Sequence, residues 1–198
     1  MPRIAGQIDE KKSEAILEAA STLFSEKGVS ASMEEIARRA GVSKQTLYNR
    51  YASKAEIARA LSARRSDAIT APLRTDGDPQ TVLTALAATL IEKICNVDKG
   101  VSLRGVALMS PDAPDIARAI YDAGPEESVR RLAAWLAGQD RLGRLAVPDP
   151  AHAAEMFTGM TLGHGHLRAI LGVPHPEVDI AARAAEVARR FVRAFAAS

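Results

Sequence analysis

Apolar residues recur every three or four positions along almost the whole of this 198-residue chain, and no stretch alternates with the two-residue period of a strand. A first helix is predicted from Asp9 to Lys27, with Ile16, Leu17, Ala20, Leu23 and Phe24 on one face and Gly28 as a left-handed cap. Ser32-Met33-Glu34-Glu35 follows the capping-box pattern and opens a second helix that turns Ile36, Ala37 and Ala40 inward. Gly41-Val42-Ser43 turns the chain, and Ser43 caps a third helix ending near Arg50. Ser53-Lys54-Ala55-Glu56 reads as another capping box, opening a fourth helix that Pro72 stops.

Beyond the loop Arg74 to Pro79, the stripe Val82, Leu83, Leu86, Ala87, Leu90, Ile91 and Ile94 predicts a fifth helix. The segment VSLRGVALM reads as another, and Ile116 to Tyr121 as a short one closed by Gly124. Pro125 opens a helix carrying Val129, Leu132, Trp135 and Leu136. Two long helices close the chain, Pro150 to about Leu171 and Pro176 to Ala197. The expected fold class is therefore all-α, with about nine or ten helices and no repeat. A shift in composition near residue 70 suggests a small N-terminal module, residues 1–55, joined by a long helix to a larger bundle, residues 56–198.

Composition adds bounds rather than detail. Apolar residues make up 47% and charged residues 25%, as in ordinary globular domains. Cys95 is the one cysteine, so no internal disulfide can form, in keeping with a reducing cytoplasm. The first dozen residues lack the apolar core of a signal peptide. The longest apolar stretch is about ten residues, short of the roughly 20 that a membrane span needs. Charge is more informative. The chain totals +2, yet from Ile36 to Arg65 eight basic residues face the single acid Glu56, leaving the remainder net acidic. A local basic block on a near-neutral chain suits a polyanion, though a solvated positive face would also account for it.

Two helices of seven or eight residues joined by a tight glycine turn form a helix-turn-helix pattern. Ala37, Gly41, Val42 and Leu47 hold its architectural positions, which leaves the third helix with one buried face and one presented face. The presented face carries Lys44, Gln45, Thr46, Tyr48 and Asn49, none of them a good core residue. Glutamine and asparagine suit adenine edges in the major groove, and lysine suits guanine. Threonine and tyrosine hydroxyls suit phosphate oxygens, as do the helix starts at Ser32, Ser43 and Lys54. These eight residues are the candidate DNA contacts, with double-stranded DNA as the expected partner.

The stretch LFSEKGVSASMEEIARRAGVSKQTLYNRYASKAEI resembles the TetR family of bacterial one-component transcriptional regulators. The likeness lies in Phe24 and Gly28, the Ser-Met-Glu-Glu-Ile-Ala start of the second helix, Ala40-Gly41-Val42-Ser43, Thr46-Leu47-Tyr48, Tyr51 and Ser53-Lys54. Asn49-Arg50 stands where aromatic or histidine residues are commoner, so the resemblance does not fix an operator sequence. It implies a homodimer whose last two helices form the interface, and a C-terminal domain that binds a small molecule. In that half, LRGVALM, IARAIYDAGPEESVRRLAAWLA and FTGMTLGHGHLRAILG resemble the AefR-type regulatory domain. The expected function is a ligand-responsive regulator, a repressor released from a pseudo-palindromic operator. A DNA-bound structural dimer that senses no small molecule is the alternative.

Arg104, Met109, Tyr121, Trp135, Phe157, Met160 and His164 are the candidate effector contacts. A salt-bridged or snorkelled Arg104 and a plain apolar core fit the same residues. His164 and His166 stand two apart and so point to different faces of a helix, and no cysteine or carboxylate lies nearby at ligand spacing, so no metal site is expected. Gly159, Gly163 and Gly165 each weaken a helix by roughly 1 kcal/mol. Close approach of a partner helix would offset that and places the dimer seam around Met156 to Leu171 and Val178 to Phe195. A local bend is the other reading. Cys95 reads as a small buried hydrophobe before a redox sensor. The chain shows no glycine-rich phosphate loop, no nucleophile elbow and no metal-ligand cluster, so neither an enzyme nor a cofactor is expected.

Overall fold

A computed structural model describes residues 5–95 and 103–197. Among these, eleven α-helices follow one another: α1 Ala5–Lys27, α2 Met33–Arg39, α3 Lys44–Tyr48, α4 Lys54–Ile69, α5 Pro79–Cys95, α6 Leu103–Met109, α7 Pro114–Tyr121, α8 Glu127–Arg141, α9 Pro150–Leu162, α10 Gly165–Leu171 and α11 Ile180–Ala194. The expected all-α class holds. Extended pairing among the described residues is limited to one antiparallel bridge between Leu145 and Ala196. Cys95 ends α5, and its side chain lies outside the described residues.

The chain forms two compact units, one of Met1–Ser62 with Asp98–Ala123, the other of Ala63–Val97 with Gly124–Ser198. In the first, Ile16, Ala20, Leu23, Ile36, Leu47 and Ile57 are buried together, joined by Ile116 of α7. In the second, α5 lies against α11, and α8 against α9, around Leu83, Leu86, Leu132, Leu136, Phe157 and Phe191. Phe157 and Phe191 meet edge to face with centroids 5.1 Å apart, the arrangement that sets a ring's positive edge against its neighbour's negative face. The helix α4 gives its first part to the first unit and its last turns to the second. Those last turns are held to α8 by polar groups. Arg131 bonds Asp67, the Thr70 hydroxyl and Glu127, while the hydroxyls of Ser66 and Ser128 lie 2.9 Å apart.

Several boundaries differ from the sequence expectation, among them the start of α1, at Ala5 rather than Asp9. Gly124 does not close a helix: it is buried in a π-helical turn, Asp122–Glu126, through which α7 runs into α8. Pro125 lies inside that turn rather than opening a helix. A wider turn tolerates its missing N–H and the bulk of its ring. The predicted helix from Pro150 to Leu171 is two helices, because Gly163 adopts φ +48° and ψ −130°, a backbone open to glycine. The bend at Gly163 accounts for that glycine without a partner. A Cβ at Gly165 would meet the Ile94 side chain of the same chain at 3.4 Å, an ordinary contact, and one at Gly159 would meet nothing within 4 Å. The last helix begins at Ile180 rather than Pro176, where the Asp179 carboxylate accepts from Ala182 N–H at 2.9 Å.

Candidate nucleic-acid interface

The face begins with how α2 is started. Ser32 Oγ accepts from Glu35 N–H at 3.1 Å, and Ser32 N–H donates to Glu35 Oε2 at 2.9 Å, so both halves of the predicted capping box are present. The ammonium of Lys27 and the Ser32 backbone N–H together hold the Glu35 carboxyl down at about 2. The turn comes at Gly41, whose φ of +66° is left-handed backbone. It lets Val42 N–H reach back to Ala37 O at 3.0 Å and ends α2 sharply. Ser43 then caps α3, accepting from Thr46 N–H at 3.1 Å, with the two hydroxyl oxygens 2.8 Å apart.

One short helix now presents two opposite environments. Leu47 is 0% exposed and sits in the core with Ile36 and Ile57. Tyr48, the next residue, is 45% exposed. Lys44, Gln45 and Asn49 are exposed with it, and Thr46 is half-buried beside Ser43. Gln45 Nε2 donates to Asn49 Oδ1 at 2.8 Å, an i, i+4 amide pair along the helix. The Lys44 ammonium reaches Glu34 of α2 at 2.9 Å. Ser32 and Lys54 are half-buried at the starts of α2 and α4.

The second predicted capping box is only partly as expected. Ser53 Oγ accepts from Glu56 N–H at 3.2 Å, but Glu56 reaches back to Ala52 N–H rather than to Ser53. Arg50, part of the basic block but not among the candidate contacts, donates to Ser13 of α1 at 2.7 Å and so tethers the segment that follows α3. Glu34 lies in the first turn of α2, where an acid is ordinary.

The effector candidates are placed less compactly. Arg104, Met109 and Tyr121 belong to the first unit, while Trp135, Phe157, Met160 and His164 belong to the second. Tyr121 is exposed, Arg104 lies on the surface, and Met109 packs against the first core. Phe157 is wholly buried, Trp135 is half-buried against the second core, and Met160 and His164 are exposed. His166 also reaches the surface, although partial burial lowers its pKa below the ordinary imidazole range. Among the described residues, no group of three potential ligands could hold a metal ion.

A tight helix-turn-helix, with one helix anchored by a buried leucine and edged by hydrogen-bonding side chains, defines a DNA-binding protein of the major-groove kind. The chain belongs to the TetR family of bacterial transcriptional regulators: the description "Bacterial regulatory proteins, tetR family" matches residues 16–61, and "AefR-like transcriptional repressor, C-terminal domain" matches residues 81–198. Among solved structures, the flavonoid-responsive regulator FrrA is similar at 28% identity and a TM-score of 0.70, over 94% of this chain and 98% of that one. A TetR regulator from Agrobacterium tumefaciens aligns with a TM-score of 0.76 at 23% identity, covering 94% of this chain and 95% of that one. The SmeT–triclosan complex aligns at 0.60 and 21%, over 93% of this chain and 91% of that one. No curated protein matches the chain. No described helix is long and apolar enough to cross a membrane.

Proposed function

We propose that this chain is a cytoplasmic, ligand-responsive repressor that binds a pseudo-palindromic operator as a homodimer and leaves it when a small molecule binds. The observation that carries this reading is the polar row on α3, held outward by the buried Leu47. Residues 1–55 act as the DNA-binding part and residues 56–198 as the ligand-binding and dimerisation part. Gln45, Asn49 and Lys44 read base edges. Ser32, Ser43, Thr46, Tyr48 and Lys54 fix the register on phosphates. Dimerisation uses the segments Met156 to Leu171 and Val178 to Phe195, in the first of which Met156, Met160, Leu167, Ile170 and Leu171 are exposed on α9 and α10. The effector is a small molecule, a reading supported by the likeness to a regulator named for its flavonoid response. It acts by linkage, binding more tightly to a conformer in which the two recognition helices are wrongly spaced for the operator.

The test is capture of fragmented host DNA by the purified protein at moderate and at higher salt, followed by sequencing. A few palindromic sites that survive the higher salt support the reading. Diffuse capture that disappears with salt refutes it, because only the electrostatic part of binding would then be present. A second reading, a DNA-bound dimer that senses nothing, draws on the closed packing of Phe157 against Phe191 in the second unit. It predicts no thermal shift with any member of a broad panel of apolar aromatic compounds.

A further inference from the structure

Two serines of the second unit sit close to where the chain passes between its two compact units. Among the described residues it passes twice: along α4, after Ser62, and within the π-helical turn Asp122–Glu126, after Ala123. The second passage is mechanically soft. Pro125 has no N–H to offer the carbonyl four residues before it, so the helix widens there, and prolines and π turns are where helices bend. Ser128 of α8 donates to the Gly124 carbonyl of that turn at 3.0 Å. Serine back-bonding of this kind is ordinary in helices. Here the same hydroxyl also meets α4, since its oxygen lies 2.9 Å from that of Ser66, which is 0% exposed. With the Ser128 proton given to Gly124, Ser66 is the donor in that pair. A chain of hydrogen bonds thus runs from α4 through Ser128 to the backbone of the turn, wholly inside the second unit. Arg131 joins the same two helices through Asp67 and Thr70, and the serines add the link to the turn itself.

We propose that Ser66 and Ser128 are positioning residues for operator binding: they brace the π turn against α4, and so fix the directions in which both passages leave the second unit and the spacing at which a dimer presents its two recognition helices. This rests on the homodimer reading above. Neither serine touches DNA. A dimer meets two half-sites at a set distance, so only conformers with matching helices bind the operator. Apparent affinity is scaled by the fraction of molecules in such conformers. Removing the brace spreads the population towards conformers with other spacings. The native operator then loses affinity and an operator of altered spacing gains. Random duplex is bound through its phosphates with no half-sites to match, and changes little. The brace can shift this balance by up to about tenfold, the factor that one net hydrogen bond contributes to an equilibrium.

The experiment compares the full-length protein with Ser128→Ala, Ser66→Ala, the double variant, and Ser128→Thr, which keeps the hydroxyl. Affinity is measured for a palindromic operator recovered by genomic capture and for a scrambled duplex of equal length. It is also measured for the same operator with one base pair inserted at, or removed from, its centre, which moves one half-site by about 3.4 Å. The ratio of native-spacing to altered-spacing affinity should fall about three- to tenfold in Ser128→Ala, and should fall in Ser66→Ala through loss of the same link. The double variant should fall no further than Ser128→Ala, because the two hydroxyls act as one chain. Ser128→Thr should keep the wild-type ratio, and scrambled-duplex affinity should stay within about twofold of wild type in every variant. A ratio unchanged in both alanine variants overturns the inference and leaves the regulator reading intact. So does a fall that Ser128→Thr shares, which would assign the effect to packing and not to the hydroxyl. If Ser128→Ala does not fold, Ser66→Ala decides by the same ratio. If capture recovers no palindromic operator, the regulator reading fails and this inference fails with it.

Discussion

Leu47 and Tyr48 are chain neighbours in opposite environments, and truncating each should damage different properties. Leu47→Ala removes three heavy atoms from a site that is 0% exposed. At about 0.8 kcal/mol per buried methylene plus a cavity term, the loss is about 3 kcal/mol. The assay is native-state hydrogen exchange on the full chain, followed at the Leu47 amide, which donates to Ser43 O at 3.0 Å. A loss of 3 kcal/mol of local opening free energy speeds exchange there by about a hundredfold. Operator affinity falls too, although no DNA-contacting group has been touched. Tyr48→Ala, at 45% exposure, should leave exchange within about threefold of wild type, as surface changes shift stability by less than ~0.5 kcal/mol, and should weaken DNA binding directly. If Leu47→Ala exchanges like wild type, or if Tyr48→Ala loses as much protection, the assignment of buried and presented faces on α3 is wrong.

Gln45→Ala should change preference at one base position by about 1–3 kcal/mol, whereas Lys54→Ala should weaken all sequences alike and lower the salt slope by about 1. Competition binding against a library of single-base operator variants separates the two. Gly41→Ala meets no atom within 4 Å, so its cost is backbone alone, about 1–2 kcal/mol for a left-handed residue, and Gly41→Asn should recover most of it in the same exchange assay. Leu167→Asp places a charge on the exposed face of α10 and should convert the dimer to a monomer in sedimentation; a dimer that persists places the seam elsewhere. Acid should also loosen the caps. Glu35 titrates at about 2 when folded, below its ordinary 4.5, so its stabilising effect is complete above pH 4.5 and fades as pH falls towards 2. Glu127, held down to about 2 by Arg130 and then Arg131, behaves alike in the second unit. Glu35→Gln should flatten the acid limb of a thermal-midpoint profile for α2, and an unchanged limb refutes the assignment.

Much of the first unit was legible because its signals are local. The capping box at Ser32 and Glu35 closes within four residues, and the Gly41 turn needs only the backbone freedom of one glycine. The second unit was less so. A proline at the start of a helix and a proline inside a π turn give the same local pattern, and only the packing around the buried Gly124 distinguishes them. Gly163 sits in an unbroken helical period, so its left-handed break could not be read from hydrophobic spacing. Pocket and core draw on the same residues. Phe157 and Met160 looked alike as candidates, yet one is fully buried against Phe191 and the other faces solvent.

The proposed recognition helix shows why candidate DNA contacts are easier to name than what positions them. With five residues and one buried side chain, α3 is far too short to be stable alone. Its orientation must come from its surroundings. Gly41 sets the angle of entry, Ser43 satisfies the first N–H groups, Leu47 fixes the rotation, and Arg50 ties the exit to Ser13 on α1. Changes at any of these move all the reading side chains together. They should therefore weaken operator binding while preserving the order of base preferences, whereas changes at Gln45 or Asn49 should reorder them. Glu34 falls between the two groups, since its bond to Lys44 crosses from α2 and exists only once the helices have packed. No sequence period marks such a contact, although it sits beside the face proposed to meet DNA.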